Sequence, residues 1–291
     1  MRARIWGCRG SVAAPGADTI RYGGNTSCVA VELASGHVIV LDAGTGIRAL
    51  GVAMSDALPR ELHIMLTHLH LDHIQGLGFF RPLFAPGLDI HIWGPSSPVQ
   101  DLATRIGRYL SPPLFPVTLD DIPANLTFHD APEEPVTIGS ATVQATKVMH
   151  QGPTVGYRIE EDGHVLAYVP DHEPSIGSDL STVPADWMSG YDIARDADVL
   201  LHDSQYRDHE YGAHVGWGHS GIRSTMEFAR KADVERVVLF HHDPYHDDDE
   251  LEELLAEARI EWSGGHEHVM LASERMTITL SDGTVSISET A

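Results

Sequence analysis

Cysteine is scarce in this 291-residue chain, with only Cys8 and Cys28 present, and one pair cannot supply the disulfide framework on which small secreted folds rely. Two reduced, buried thiols are expected instead. Positive charge is scarce too: 19 Lys and Arg stand against 42 Asp and Glu, a formal net charge of −23. Such a surface repels a long polyanion over most of its area, which disfavours nucleic acid as a partner. No apolar run approaches the roughly 18 residues of a membrane span, and MRARIWGCRG lacks the apolar centre of a signal peptide. The chain is therefore expected to be soluble and cytoplasmic, with no membrane partner. No linker, low-complexity tract or solenoid-period repeat is visible, so 1–291 is read as a single domain. Apolar residues, at 42%, are plentiful enough for a substantial core.

The runs ARIW, SCVAVEL, HVIVLDAG and ELHIMLTH read as short strands bounded by turn residues. GIRALGVAMSDAL and PVQDLATRIGRYL carry helical spacing, the second with Asp101 in its first turn, and SPPLFPVTLDDIPANL is a loop long enough to be a lid. Strands resume with LTFHD, ATVQATKVMH, TVGYRIEE and HVLAYVP, the last two joined by a tight turn at Asp162-Gly163. DADVLLHD and ERVVLFHHD are further strands. SGIRSTMEFARKAD and DDDELEELLAEAR are helices, the leading aspartates of the second suiting a helix N-terminus better than a calcium loop. VMLASERMTITLSDGTVSIS closes the chain with strands. Two blocks of strands, each followed by helices, predict two sheets covered outside by helices.

Histidine is abundant, at 19 residues, and its clustering carries the information. In THLHLDHIQG an apolar strand runs into His68, His70, Asp72 and His73. In extended chain His68 and His70 point the same way, and a following turn can bring Asp72 and His73 to a second position nearby. Chance alone would give HxHxDH in such a chain on the order of 0.01 times. Three other strands each end on a ligand type, namely His150, Asp171 and His241. Loops at one edge of a rigid scaffold are where sites are built. His242 is an alternative to its neighbour.

These segments resemble the metallo-β-lactamase-fold hydrolases over nearly the whole chain. Asp42 in VLDAGTG matches the first motif, the HLHLDH run the second, and His150, Asp171 and His241 the third to fifth. The resemblance implies an α/β (α+β) fold, a four-layer αββα sandwich of two mixed sheets. It implies one metal on His68, His70 and His150, another on Asp72, His73 and His241, Asp171 bridging, and Asp42 behind the ligands holding the metal loop. It also favours His241 over His242. Flavodiiron proteins carry a carboxylate where this chain has His70, and the β-lactamases proper have Cys in place of Asp171; neither branch fits. Imidazole and carboxylate without thiolate suit two Zn²⁺ ions, with Mn²⁺ or Fe²⁺ as alternatives.

The start GCRGSVAAPGADTIRYGGNTSCV resembles the ribonuclease Z and cyclic-nucleotide phosphodiesterase branch, as do VLLHDSQY, with His202 and Asp203, and WGHSGIRSTMEFARKA, with His219. By that resemblance Asp203 orients His219, which protonates the leaving alkoxide; Asp72, Asp203, His202 and His219 form the expected catalytic set. Two divalent cations can hold a bridging hydroxide and clamp a phosphodiester. With Asp72, Asp171 and hydroxide they keep one net positive charge, enough to attract a monoanionic diester. The tRNA-processing enzymes carry a long basic arm, whereas residues 172–198 are short and acidic with Arg195 as their one base. A small phosphodiester, a cyclic nucleotide or other cyclic phosphate, is the leading substrate, with Tyr22, Trp93, Tyr109, Phe115, Tyr206 or Trp217 available to a base. The alternatives are a tRNA 3′-end endonuclease, a lactonase or thioesterase, and a sensor that has lost its chemistry. Analogy with the branch adds a homodimer.

Overall fold

Alternation of aliphatic residues along each strand decides which layer it joins. The structure, a computed structural model, describes residues 1–174, 176–262 and 265–289. One sheet has eight strands in the order Thr284–Glu289, Met276–Ser281, Arg2–Gly7, Cys28–Glu32, Val38–Leu41, Glu61–Met65, Asp89–Gly94 and Asn125–Asp130. The other has seven, in the order Val269–Leu271, Arg236–Phe240, Val199–Asp203, His164–Val169, Val155–Glu161, Ala141–Lys147 and Val136–Ile138. Each is mixed, with its parallel strands together on one side. Ile39, Leu41 and Met65 from the first meet Tyr157, Tyr168, Val199 and Leu201 from the second in a shared core. The opposite faces are covered by helices: Ile47, Leu50 and Ile106 lie over the first sheet, and Ile222, Met226, Leu251 and Leu254 over the second. The four-layer αββα sandwich is thus the observed architecture.

Several local expectations change in detail. The helix expected over GIRALGVAMSDAL is confined to Ile47–Ala53; the Ser55 hydroxyl donates to the Gly51 carbonyl at 3.0 Å, competing with the helix ladder. Asp101 is the N-cap rather than a first-turn residue of Leu102–Gly107, accepting from the Thr104 N–H at 2.7 Å. The closing hairpin leaves the second block and pairs antiparallel with Arg2–Gly7, so the first sheet holds both ends of the described chain. The Asp162-Gly163 turn forms as expected, both residues with positive φ, 52° and 78°. Of the 172–198 stretch, residues 176–198 lie over the second sheet, sinking Leu180, Met188, Ile193 and Ala194 into its outer core. No helix among the described residues is long and apolar enough to cross a membrane.

The aspartate run caps a helix. Asp247 precedes Asp248–Glu261 and accepts from the Asp249 and Glu250 N–H groups at 2.9 and 2.8 Å, while Glu250 accepts from the Asp247 N–H at 2.9 Å. This reciprocal arrangement satisfies amides that have no partner within the helix. Replacing Asp247 with Ala is expected to cost about 1 kcal/mol, read as a lower urea midpoint at unchanged slope; an unchanged midpoint would contradict the cap.

Candidate metal centre

The HLHLDH run leaves Glu61–Met65 at the edge where the parallel strands end, and His70 becomes the N-cap of a single-turn helix, Leu71–Ile74. That turn is what separates His68 and His70 from Asp72 and His73. Behind it lies Asp42, fully buried and with φ of 59°. Its carboxylate accepts from the Thr67 N–H at 2.7 Å, the Tyr168 hydroxyl at 3.0 Å and His73 Nδ1 at 2.8 Å. A left-handed backbone at a non-glycine residue persists only where its surroundings hold it, and these contacts do so.

The same device recurs around the centre. His150 donates from Nδ1 to the Gly218 carbonyl at 2.7 Å, and His241, also with positive φ at 61°, donates from Nδ1 to Gln205 Oε1 at 3.0 Å. With Nδ1 engaged in each ring, Nε2 is the nitrogen that His73, His150 and His241 turn inward. His70 turns Nδ1 inward instead, 3.3 Å from His150 Nε2. The ligand atoms of His68, His70 and His150 lie within 4.8 Å of one another, as do those of Asp72, His73 and His241. Asp171 sits between the groups. Its Oδ1 is 3.7 Å from His68 Nε2, 3.6 Å from His150 Nε2 and 3.3 Å from His241 Nε2, and its Oδ2 is 3.0 Å from His73 Nε2.

These residues fit a pair of divalent cations. His68 Nε2 is buried without a hydrogen-bond partner, and such an atom is costly unless something else engages it. Burial, and then the neighbouring His73, hold the His68 imidazole well below its ordinary pKa, so it is a neutral donor. Burial works against ionisation of Asp171, but the imidazoles of His241, His73 and His68 outweigh it and keep the carboxyl well below the usual range. For His73 burial also opposes charge, and Asp171, Asp72 and Asp42 overcome it, raising the pKa. Cation binding there releases a proton.

Asp203 and His219 stand beside this centre. Asp203 is fully buried and accepts from the His172, Gln205 and Ser220 N–H groups at 3.0, 3.0 and 3.2 Å, which leaves it fixed against His219 Nδ1 at 2.7 Å. The His219 ring stacks on His241 at 4.9 Å and meets His150 edge-on at 4.9 Å. With Ser11, His70, Asp72, Asp171 and His241 it lines a cavity of about 450 Å³. Burial lowers the His219 pKa, but Asp203, then Asp171 and Asp72, carry it up to about 9.

His202 is corrected. Alternation along Val199–Asp203 sends it the way of Leu200, into the helix layer, where it packs on Phe228 at 4.9 Å. It donates from Nδ1 to the Asp203 carbonyl and accepts from His172 Nδ1 at 2.9 Å, so no ring nitrogen is left for the cavity. His242 likewise turns away and donates from Nε2 to the Ala272 carbonyl at 2.9 Å. Of the six aromatics only Tyr109 lines a cavity beside the centre. Tyr22 donates to Glu252, Trp93 stacks on His129, Phe115 lies edge-on to Phe79, and Tyr206 and Trp217 bracket His214.

Sequence reasoning missed Glu173, Gln205, Tyr168 and Ser11. Glu173 accepts from the Gly216 and Gly218 N–H groups at 2.9 and 2.8 Å and from the Tyr211 hydroxyl at 2.9 Å, holding the loop that carries His219. The Ser11 N–H donates to Asp72 Oδ2 at 2.8 Å. Gln205 and Glu173 lie two residues beyond Asp203 and Asp171, an adjacency that was the available signal.

At Gly218, φ is +90° and an added Cβ would fall 2.4 Å from His150 Nδ1. Gly218→Ala is expected to weaken cation binding about 10–100-fold, seen as fewer than two metals per chain after dialysis; full occupancy would contradict this account of His150. Burial lowers His202 to about 4, below the roughly 6.5 of an exposed imidazole. The unfolded chain therefore takes up that proton first, and the stability contributed is complete above pH ~6.5 and lost as pH falls through ~4. In chelator-treated protein, His202→Gln should flatten the acid loss of the urea midpoint; parallel curves would contradict the assignment.

Residues 37–242 match the family model described as the beta-lactamase superfamily domain. An uncharacterized protein of Mycobacterium tuberculosis is 29% identical over 276 residues, covering 91% of this chain and 88% of that protein. A ribonuclease Z of Kineococcus radiotolerans is 27% identical over 274 residues, covering 82% and 85%. A metallo-β-lactamase-fold protein of Bacillus subtilis superposes with a TM-score of 0.67 at 19% identity, covering 95% of this chain and 98% of that one, a likeness of fold. With the family model matched over well over half its length, this chain belongs to the beta-lactamase superfamily and has the metallo-β-lactamase fold.

Proposed function

We propose that the chain is a dinuclear metal-dependent phosphodiesterase that hydrolyses a small phosphodiester, a cyclic nucleotide or other cyclic phosphate, with Zn²⁺ the best-suited metal. The observation that carries this reading is the Asp203–His219 pair, 2.7 Å apart, with His219 opening on the same cavity as the metal-ligand set. His68, His70 and His150 would hold one cation, Asp72, His73 and His241 the other, with Asp171 between. When bound, the cation pair supplies a Lewis acid for the phosphoryl oxygens and a water of lowered pKa.

The remaining steps belong to side chains. A buried imidazole prefers to be neutral, so a proton donor here needs a carboxylate, and Asp203 provides one that three backbone amides hold in place. His219 holds its proton on the face of the site beside His150 and His241 and delivers it to the leaving alkoxide, a poor leaving group without a general acid. Asp203 acts through His219 and is a positioning residue. An acyl substrate with an activated leaving group has less need of such a pair, which sets the lactonase reading behind.

Ribonuclease Z activity is the second reading, supported by a relative of that name. Protein reconstituted with Zn²⁺ or Mn²⁺ is assayed on 3′,5′- and 2′,3′-cyclic nucleotides and on a precursor tRNA; turnover of a cyclic set with tRNA intact is expected, and tRNA cleavage alone would overturn the proposal. His219→Ala should lower kcat on the cyclic substrate by about 10²–10⁴-fold. It should spare a p-nitrophenyl diester, whose leaving group needs no proton, and leave two metals bound. Equal losses on both substrates, or loss of metal, would contradict the role assigned to His219.

A further inference from the structure

A second cavity, of about 480 Å³, opens from the centre past His68 and His70. Its near walls are aliphatic, with Leu71 and Leu114 half or more exposed at the rim. At the far side the helix Leu102–Gly107 contributes Arg105, and Arg108 follows one turn on, so the two guanidinium groups share a helix face. Among the described residues no carboxylate lines this cavity.

That pair is conspicuous in a chain with 42 acidic and 19 basic residues. Among the described residues nine guanidinium groups find a carboxylate, as Arg207 does with Glu253 and Glu257, and Arg105 and Arg108 are set apart from the other arginines by sharing one cavity that opens from the centre. Neither Arg105 nor Arg108 forms an ion pair within 4 Å among the described residues, although burial lowers the Arg105 pKa and Asp130 and Asp101 act against it from farther off. Arg105 is instead tethered by neutral acceptors, donating from Nη2 to the Pro95 carbonyl at 2.5 Å and from Nε to the Asp101 carbonyl at 3.4 Å. Arg108 donates from Nη2 to the Gln100 side chain. Nη1 of each has no hydrogen-bond partner among the described residues. Tethered forks with spare donors suit a phosphate, because guanidinium N–H groups match its oxygens in spacing and charge.

We infer that Arg105 and Arg108 form a subsite for a second phosphate of the substrate, so that the preferred phosphodiester carries a further phosphoryl group beyond the scissile one. This rests on the phosphodiesterase reading and narrows it. The aliphatic rim would then face the substrate between its two charged ends. A diester without the second phosphate would still reach the centre but leave the arginines unused.

The test uses products, which a diesterase does not consume. Adenosine 3′-phosphate and adenosine 3′,5′-bisphosphate are titrated calorimetrically into Zn²⁺-loaded wild-type protein and into the Arg105→Gln/Arg108→Gln double variant. The bisphosphate is expected to bind wild type about 10–100-fold more tightly, the range for one or two charge-assisted hydrogen bonds. The double variant should lose that advantage while keeping the monophosphate affinity, and Arg105→Lys/Arg108→Lys should keep part of it. Equal affinities in wild type, or an advantage that survives in the Gln variant, would overturn the proposal. So would loss of monophosphate binding in the Gln variant, which would assign the arginines to the centre or the fold. Failure of the phosphodiesterase reading registers separately, as the same binding preference with no turnover of any cyclic phosphate.

Discussion

Burying ionisable groups is expensive unless each charge and each proton has a partner, and the site end of this fold is arranged around that constraint. Asp42, Asp171, Asp203, His68, His73 and His241 are all at most 2% exposed. Asp42 and Asp203 are satisfied by backbone amides and side-chain donors, and each fixes one imidazole. The result is a set of rings whose outer nitrogens are tied down and whose inner nitrogens converge. That polarity turns a histidine cluster into a ligand cage. Positive φ at both Asp42 and His241 shows the backbone following the same demand.

The centre was legible because it is local. His68, His70, Asp72 and His73 occupy six consecutive positions, and strand alternation followed by a turn is enough to sort them into two groups. Asp171 and His241 were legible as strand-end residues. The role of Asp42 came from family resemblance, and its contacts with Thr67, Tyr168 and His73 are what the structure adds. The orientation of His202 was not legible: HD at a strand end says that two side chains point oppositely, but not which one faces the helices. That phase is set by Leu200 packing outward and Leu201 inward. Pairing of the closing hairpin with Arg2–Gly7 depends on contacts 273–277 residues apart, as in Arg2 opposite Thr279, and no local pattern encodes it.

Charge is distributed to match. On the proposed function, a net −23 disfavours long polyanions, while the centre, with cations bound, would attract a small anion. Arg105 and Arg108 would extend that local field along one cavity, with no carboxylate among its described lining residues. The fold supplies a rigid edge, and the loops on it choose the substrate.

The most direct test of the account is the anomalous scattering of crystals of protein reconstituted with Zn²⁺. It predicts two ions about 3.5–4 Å apart, one on His68, His70 and His150 and the other on Asp72, His73 and His241. Asp171 would touch both, and His219 would stay bound to Asp203. The ligand atoms of Asp203, His219 and His241 also lie within 4.8 Å of one another. An ion on that trio would make Asp203 and His219 metal ligands and contradict their role in proton delivery.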